Sequence, residues 1–292
     1  MERLIRAEIY KLRKRTMTYI LLLILIGFIL LITTISQAVA TSSTTTTTVV
    51  NGVTTTQTVK EAVASVFFLK DAITMVMGIL GSVGMILAVV LIANATGSEY
   101  SWNTMRPYLL CSESRLKMLT AKLIAAALFI LAGMIIGLLT AVALGALFTA
   151  IRGYSWSLGM GKMSFTGHKL LTFVRTIYVM LPYILLAFLF TVLGRSTAAG
   201  IGFGIGASVL ETIITGLLSL GHGWLAKIPN YLLSPNISKI NSLAQTSGGI
   251  SINMGSSTTS PNALHAFIIV AVYCITFTAI PLVIFQKRDV TG

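Results

Sequence analysis

Six long apolar runs alternate with short polar stretches along the chain, at 17–36, 72–94, 119–148, 177–194, 198–220 and 263–285. The stretch from 17 to 35 holds no charged residue at all. A helix rises about 1.5 Å per residue, so roughly 20 apolar residues cross a hydrocarbon core of about 30 Å. No water is present at that depth to satisfy an open backbone, so each run is expected to be helical. The pattern predicts an all-α integral membrane protein with six transmembrane helices, in one membrane domain over 1–292. The third run is long enough to tilt or to project past the bilayer.

The polar stretches carry their own signals. Residues 1–16 form a basic amphipathic segment in which Met1, Leu4, Ile5, Ile9 and Leu12 share a face and Arg3, Arg6 and Arg13 lie away from it. This reads either as an interfacial helix with its cations toward lipid phosphates, or as a plain charged flank. Glu8 falls on the apolar face. There it needs Lys11, Arg15 or a partner protein. Residues 37–70 contain Thr44–Thr48, Asn51-Gly52 and Thr54–Thr56; Asn-Gly between Thr/Val stretches signals a hairpin, with a disordered segment as the alternative. Gly194-Arg195-Ser196-Thr197 is a tight turn that makes the fourth and fifth runs an antiparallel pair. The loop 221–262 begins with a broken stretch to Leu233, too short to span, and becomes Gly/Ser-rich over 247–260.

Composition agrees with a membrane chain: 292 residues, 55% hydrophobic and 10% charged, with mean hydropathy +0.89. The net charge of +13 raises nucleic acid as a partner, but its distribution argues against it. Arg3, Arg6, Lys11, Arg13, Lys14 and Arg15 precede the first span, which places both termini in the cytoplasm. The basic balance therefore reads as topology and attraction to anionic lipid, in the cytoplasmic membrane of a prokaryote. Ala38-Val39-Ala40 resembles a cleavage site, yet the preceding run exceeds a signal core, so the first helix is expected to be retained. Cys111 and Cys274 lie at different depths and do not suggest a disulfide.

Chemistry is sparse. Glu211 is the ionisable residue well inside a span, where a charge costs about 2.5–3.5 kcal/mol on insertion scales. It is either a substrate or proton contact in a translocation path or a carboxyl that locks helices. Small residues recur every fourth position at Gly133, Gly137, Ala141 and Gly145, and at Gly200, Gly204 and Ser208. They suit close packing within the chain or at a subunit interface. No phosphate-binding Gly-x-x-x-x-Gly-Lys-Ser/Thr loop is present, so ATP chemistry has to come from another polypeptide. His168, His222 and His265 have no metal-ligand spacing, no His-Glu-x-x-His helix exists, and the spans hold no paired carboxylates. No catalytic residue, metal or cofactor is assigned to the chain.

The stretch from Gly97 to Arg115 mixes Tyr100, Trp102 and Tyr108 with Arg106, Arg115, Glu99 and Glu113, a composition suited to protein docking. Glu99, Thr104, Arg106, Leu109-Leu110, Ser114-Arg115 and Lys122 resemble, at matching intervals, the segment after the second span in the permease subunits of ABC-2 type transporters. That family includes bacterial drug, bacitracin and sodium exporters. The chain departs from the pattern at Asn103, where glycine is usual, and at Pro107. Glu8 to Lys14 resembles the family's interfacial elbow, the broken stretch before the last run its external re-entrant region, and Phe285-Gln-Lys-Arg-Asp289 its usual ending.

The resemblance implies a permease subunit, an exporter, that pairs with a second copy or a paralogue and docks on separate ATPase subunits carrying ATP and Mg. Docking would run through the elbow and the 95–118 coupling loop, with Glu8, Glu99, Thr104, Arg106 and Arg115 as coupling residues. Spans two and five would move across the dimer interface. Two other classes stay open: an ion- or proton-coupled secondary transporter using Glu211, and a non-transporting membrane scaffold.

Overall fold

The computed structural model describes residues 2–41, 45–50, 53–58, 76–102, 115–151, 167–219, 225–243 and 262–287. The first helix, α1 (Glu2–Lys14), is joined through Arg15 to α2 (Thr16–Thr41). The corner closes on itself: the Thr18 hydroxyl donates to the Leu12 carbonyl at 2.9 Å, satisfying one of the carbonyls orphaned where α1 ends. Next come β1 (Thr45–Val50) and β2 (Val53–Thr58), paired antiparallel with Val50 opposite Val53. The antiparallel pairing of these two strands agrees with the hairpin expected of this segment. A hairpin thus joins an otherwise helical set of described residues.

Five further long helices follow. They are α3 (Val76–Ser101), α4 (Arg115–Ile151), α5 (Gly167–Gly194), α6 (Thr197–Ser219) and, after the short α7 (Leu233–Ser242), α8 (Ala263–Lys287). A 3-10 turn at Leu225–Tyr231 precedes α7. Six of these helices, α2 to α6 and α8, are long and apolar enough to cross a membrane. Their outward residues are large and apolar, among them Leu23, Leu139, Leu217, Leu264 and Ile275. A surface of that kind is stable against lipid and not against water. The chain is a multi-pass helical membrane protein.

Three boundaries differ from the sequence reading. The stretch 95–101 is helix rather than loop: its serine hydroxyls bond within the helix, and Glu99 pairs with Lys122 and Lys11. Ser98 Oγ donates to the Asn94 carbonyl at 2.6 Å and Ser101 Oγ to the Ser98 carbonyl at 3.0 Å. Helix α5 starts ten residues before 177, and within that extension Arg175 donates to the Leu243 carbonyl at 2.9 Å. The broken segment extends as α7 to Ser242, with Pro235 in the first turn, where a missing N–H is harmless.

The core lies along α3 and α5. Leu80, Val89 and Ile92 of α3 and Met180 and Phe188 of α5 pack with Ile29 of α2, Met134 of α4, Leu233 and Ile240 of α7, and Val270 of α8. Within α3, residues Leu80–Gly84 form a π-helical turn that packs beside α5, Gly81 toward Thr176 and Gly84 toward Met180. Helix α6 joins through glycine. A methyl on Gly204 would lie 2.7 Å from Ala187 Cβ and 2.8 Å from Val89 Cγ1, and one on Gly200 would overlap Thr191 Oγ1. Gly137 is held against Leu80 in the same way, at 2.9 Å. Gly133 faces open space and takes no part in this packing. The α5–α6 turn is as tight as expected, with Arg195 left-handed at φ 49°.

Candidate functional site

Polar side chains gather at two places on opposite ends of the bundle. At the first, α1 lies against the C-terminal end of α3 and the N-terminal end of α4. The C-terminal part of the apolar stripe of α1 packs here: Leu12 lies with Ala95 and Ala125, and Ile9 and Phe129 border them. At Leu12 the apolar side of α1 meets protein. Tyr10 is 62% exposed and Arg3, Arg6, Arg13 and Lys14 are exposed around it.

Beneath α1 sits a knot of four opposite charges. Lys122 of α4 is 1% exposed. Its Nζ lies 2.7 Å from Glu99 Oε1 and 3.2 Å from Glu8 Oε2. Lys11 Nζ closes the ring from the rim, 3.2 Å from Glu8 Oε1 and 3.4 Å from Glu99 Oε1. Glu8 and Glu99 are themselves only 3% and 4% exposed. Beside the knot, Arg15 Nη1 donates to Ser98 Oγ at 2.6 Å and to the Asn94 carbonyl at 3.2 Å. Its guanidinium lies over the Trp102 ring, 5.3 Å from the centroid. Burial disfavours the Glu8 carboxylate, yet Lys122 and Lys11, with their hydrogen bonds, outweigh it and hold the group below the ordinary carboxyl range. A lone buried charge would be strongly destabilising; two ammoniums between two carboxylates satisfy one another.

The second place is the Glu211 carboxylate of α6. Its Oε2 accepts from the Tyr183 hydroxyl of α5 at 3.1 Å, and its Oε1 accepts from the Ser234 N–H at 2.9 Å. Ser234 lies in the first turn of α7, whose N-terminus carries no side-chain cap of its own. An anion suits that position because several N–H groups there lack helical partners. Glu211 thus ties α5, α6 and α7 together. Nearby, Tyr178 donates to the Phe267 carbonyl at 2.7 Å and Tyr273 to the Tyr231 carbonyl at 3.2 Å, which fix α8 to the same end.

Of the residues singled out in the sequence, Glu8 and Glu99 come together, though inside the chain rather than on a docking surface. Arg115 opens α4; Thr104 and Arg106 lie outside the described residues. Gly137, Gly200 and Gly204 sit at helix contacts, and Gly133 does not. The sequence reading missed the role of Lys122 as the buried centre of the knot. Its signal was present: one cation among Met118, Leu119, Ala121, Ala125 and Ala126, matched by one carboxylate on the apolar side of α1. Among the described residues, no three His, Cys, Asp or Glu side chains group as metal ligands.

Comparison with known proteins gives a relative and a family. The chain is 23% identical over 215 residues to a Bacillus subtilis (strain 168) protein named "Uncharacterized protein YhcI". The match covers 71% of this chain and 64% of that relative, so the chain spans less than two thirds of the relative's length. No solved structure matches. A family model described as "Protein of unknown function (DUF2705)" matches residues 63–291, and the chain belongs to that family.

Proposed function

We propose that this chain is the transmembrane permease subunit of an ATP-driven exporter of the ABC-2 type, forming a translocation path with a second copy or paralogue and powered by a separate ATPase. The observation that carries the reading is the attachment of α1 to the ends of two spans through buried charges. A machine driven from one face needs surface elements there that cannot slip against the spans they move, and ion pairs of fixed register supply that. On this reading both termini and the α1 end lie in the cytoplasm, following the cations around the first span, in the cytoplasmic membrane of a prokaryote. Arg3, Arg6, Tyr10, Arg13 and Lys14 face anionic headgroups or the ATPase. Direct contacts to the ATPase fall to Thr104, Arg106 and Arg115, while Glu8 and Glu99 act from within by holding α1 in place. Glu211, with both carboxylate oxygens already taken by donors on other helices, serves as a helix lock, which weighs against ion-coupled transport. The chain itself holds no nucleotide; ATP and Mg belong to the partner.

The test is copurification. Tagged full-length chain, extracted in mild detergent, is expected to retain an ATPase subunit, and Arg106→Ala/Arg115→Ala to lose it while remaining folded. A folded wild-type chain that retains no ATPase, under conditions that preserve known transporter complexes, would overturn the reading.

A further inference from the structure

We propose that the corner between α1 and α2 binds the headgroup phosphate of an anionic phospholipid, with Arg15 as its anchor. Arg15 is held in place by α3. Its Nη1 donates to Ser98 Oγ at 2.6 Å and to the Asn94 carbonyl at 3.2 Å, and its guanidinium lies 5.3 Å from the centroid of the Trp102 ring. A cation suits that end of a helix, where the last carbonyls lack helical partners. These hydrogen bonds use one nitrogen of the fork. Nε and Nη2 bond nothing among the described residues, and they form the edge on which two N–H bonds run parallel. That edge matches two oxygens of one phosphate, a fit that an ammonium does not offer. The guanidinium is thus oriented by protein on one side and able to bond on the other.

Depth and charge identify the occupant. Arg15 immediately precedes the first spanning helix, whose exposed apolar surface begins at Tyr19 and Ile20. One helical turn separates them, about 6 Å at 1.5 Å per residue, which puts Arg15 at the level of headgroups rather than of acyl chains. The exposed Trp102 ring suits the same level. Arg13 and Lys14 adjoin Arg15 in the chain and are exposed, so three cations stand together. The acids beneath them, Glu8 and Glu99, face Lys11 and Lys122. The corner therefore attracts an anion, and a zwitterionic headgroup, whose phosphate brings its own ammonium, gains less. A partner protein's carboxylate would offer the charge alone, whereas a lipid also covers Tyr19 and Ile20. The inference deepens the transporter reading and rests on it for the leaflet alone, the cytoplasmic one.

The experiment uses Trp102 as the reporter and needs neither ATPase nor transport. Full-length chain carrying Trp156→Phe and Trp224→Phe keeps Trp102 as its one tryptophan. It is placed in vesicles of phosphatidylcholine and phosphatidylglycerol in which one lipid or the other carries brominated acyl chains, which quench tryptophan on contact. At equal mole fraction, brominated phosphatidylglycerol should quench more than brominated phosphatidylcholine, with a preference of about fivefold or more. Arg15→Gln should remove most of that preference, and Arg15→Lys, which keeps the charge without the fork, should restore only part of it. Arg13→Gln/Lys14→Gln leaves the Arg15 contacts in place, should lower the preference too, and serves where Arg15→Gln fails to fold. Equal quenching by the two lipids in the wild type would overturn the site. So would a preference unchanged in both the Arg15→Gln and the Arg13→Gln/Lys14→Gln chains, even if the latter lost a copurifying ATPase, which would assign these cations to a protein partner. Absence of a lipid preference leaves the permease reading standing, and failure to retain an ATPase leaves the lipid site standing.

Discussion

Glu8 and Glu211 pose the same physical problem, a carboxylate removed from water in an apolar chain, and the protein solves it in two ways. Glu8 meets cations, Lys122 and Lys11. Glu211 meets dipoles, a tyrosine hydroxyl and the N–H at a helix start. Charge pairing depends on the sign of every member and tolerates no neutral substitute. Dipole pairing depends on where an acceptor oxygen lies and tolerates loss of charge. The α1 end is thus sensitive to electrostatics, and the α7 end to geometry.

The largest expected effect comes from breaking the pairing. Glu8→Gln, or Lys122→Met, leaves an unmatched ion in the knot and should destabilise by about 3–5 kcal/mol, read from unfolding in mixed micelles titrated with dodecyl sulfate. Glu211→Ala should cost less, about 1–3 kcal/mol, by leaving the Tyr183 hydroxyl and the Ser234 N–H without their acceptor. Glu211→Gln keeps an acceptor oxygen and should cost below about 1 kcal/mol. If the two glutamine substitutions proved equally damaging, the distinction between charge and dipole would be lost.

Acid sharpens the same contrast. The groups facing Glu8 are Lys11 on its own helix, Lys122 on α4 and, across both ammoniums, Glu99 on α3, with Arg15 and Ser98 adjacent. Because the folded Glu8 carboxyl lies below its ordinary value of 4.5, its stabilisation is fully present above that value. It is lost as pH falls through the folded value. Protease access to α1 should therefore stay constant from neutral pH to about pH 5 and rise only in stronger acid. The smallest effect is expected at Glu2 and Arg6, an exposed pair at 3.2 Å. Arg6→Ala should shift unfolding by no measurable amount, since water screens such contacts.

Much of the fold could be read from the chain because apolar length is a blunt and sufficient signal in a membrane. The six helices, the turn around Arg195 and the Asn-Gly ribbon all follow from local rules. What could not be read depends on contacts distant in sequence. Helix α3 continues through Ser98 and Glu99 because Lys122 and Arg15 receive their side chains, and neither lies nearby in the chain. The stripe on α1 shows that the helix has an inner side, but not whether that side meets lipid or Ala95 and Ala125. Glu8 on that stripe and Lys122 among apolar residues were the local anomalies that pointed to the site.

The π turn at Leu80–Gly84 amounts to one surplus residue stored in α3, because its ring of bonding closes one position later than in the flanking α-helix. A chain with Ser82 removed could therefore relax to unbroken α-helix without rotating the residues on either side. Most single deletions in a spanning helix turn half of it by about 100° and ruin its contacts. At this point the protein has room to lose a residue, and the depth at which Val76 sits relative to Val89 is the property that would change.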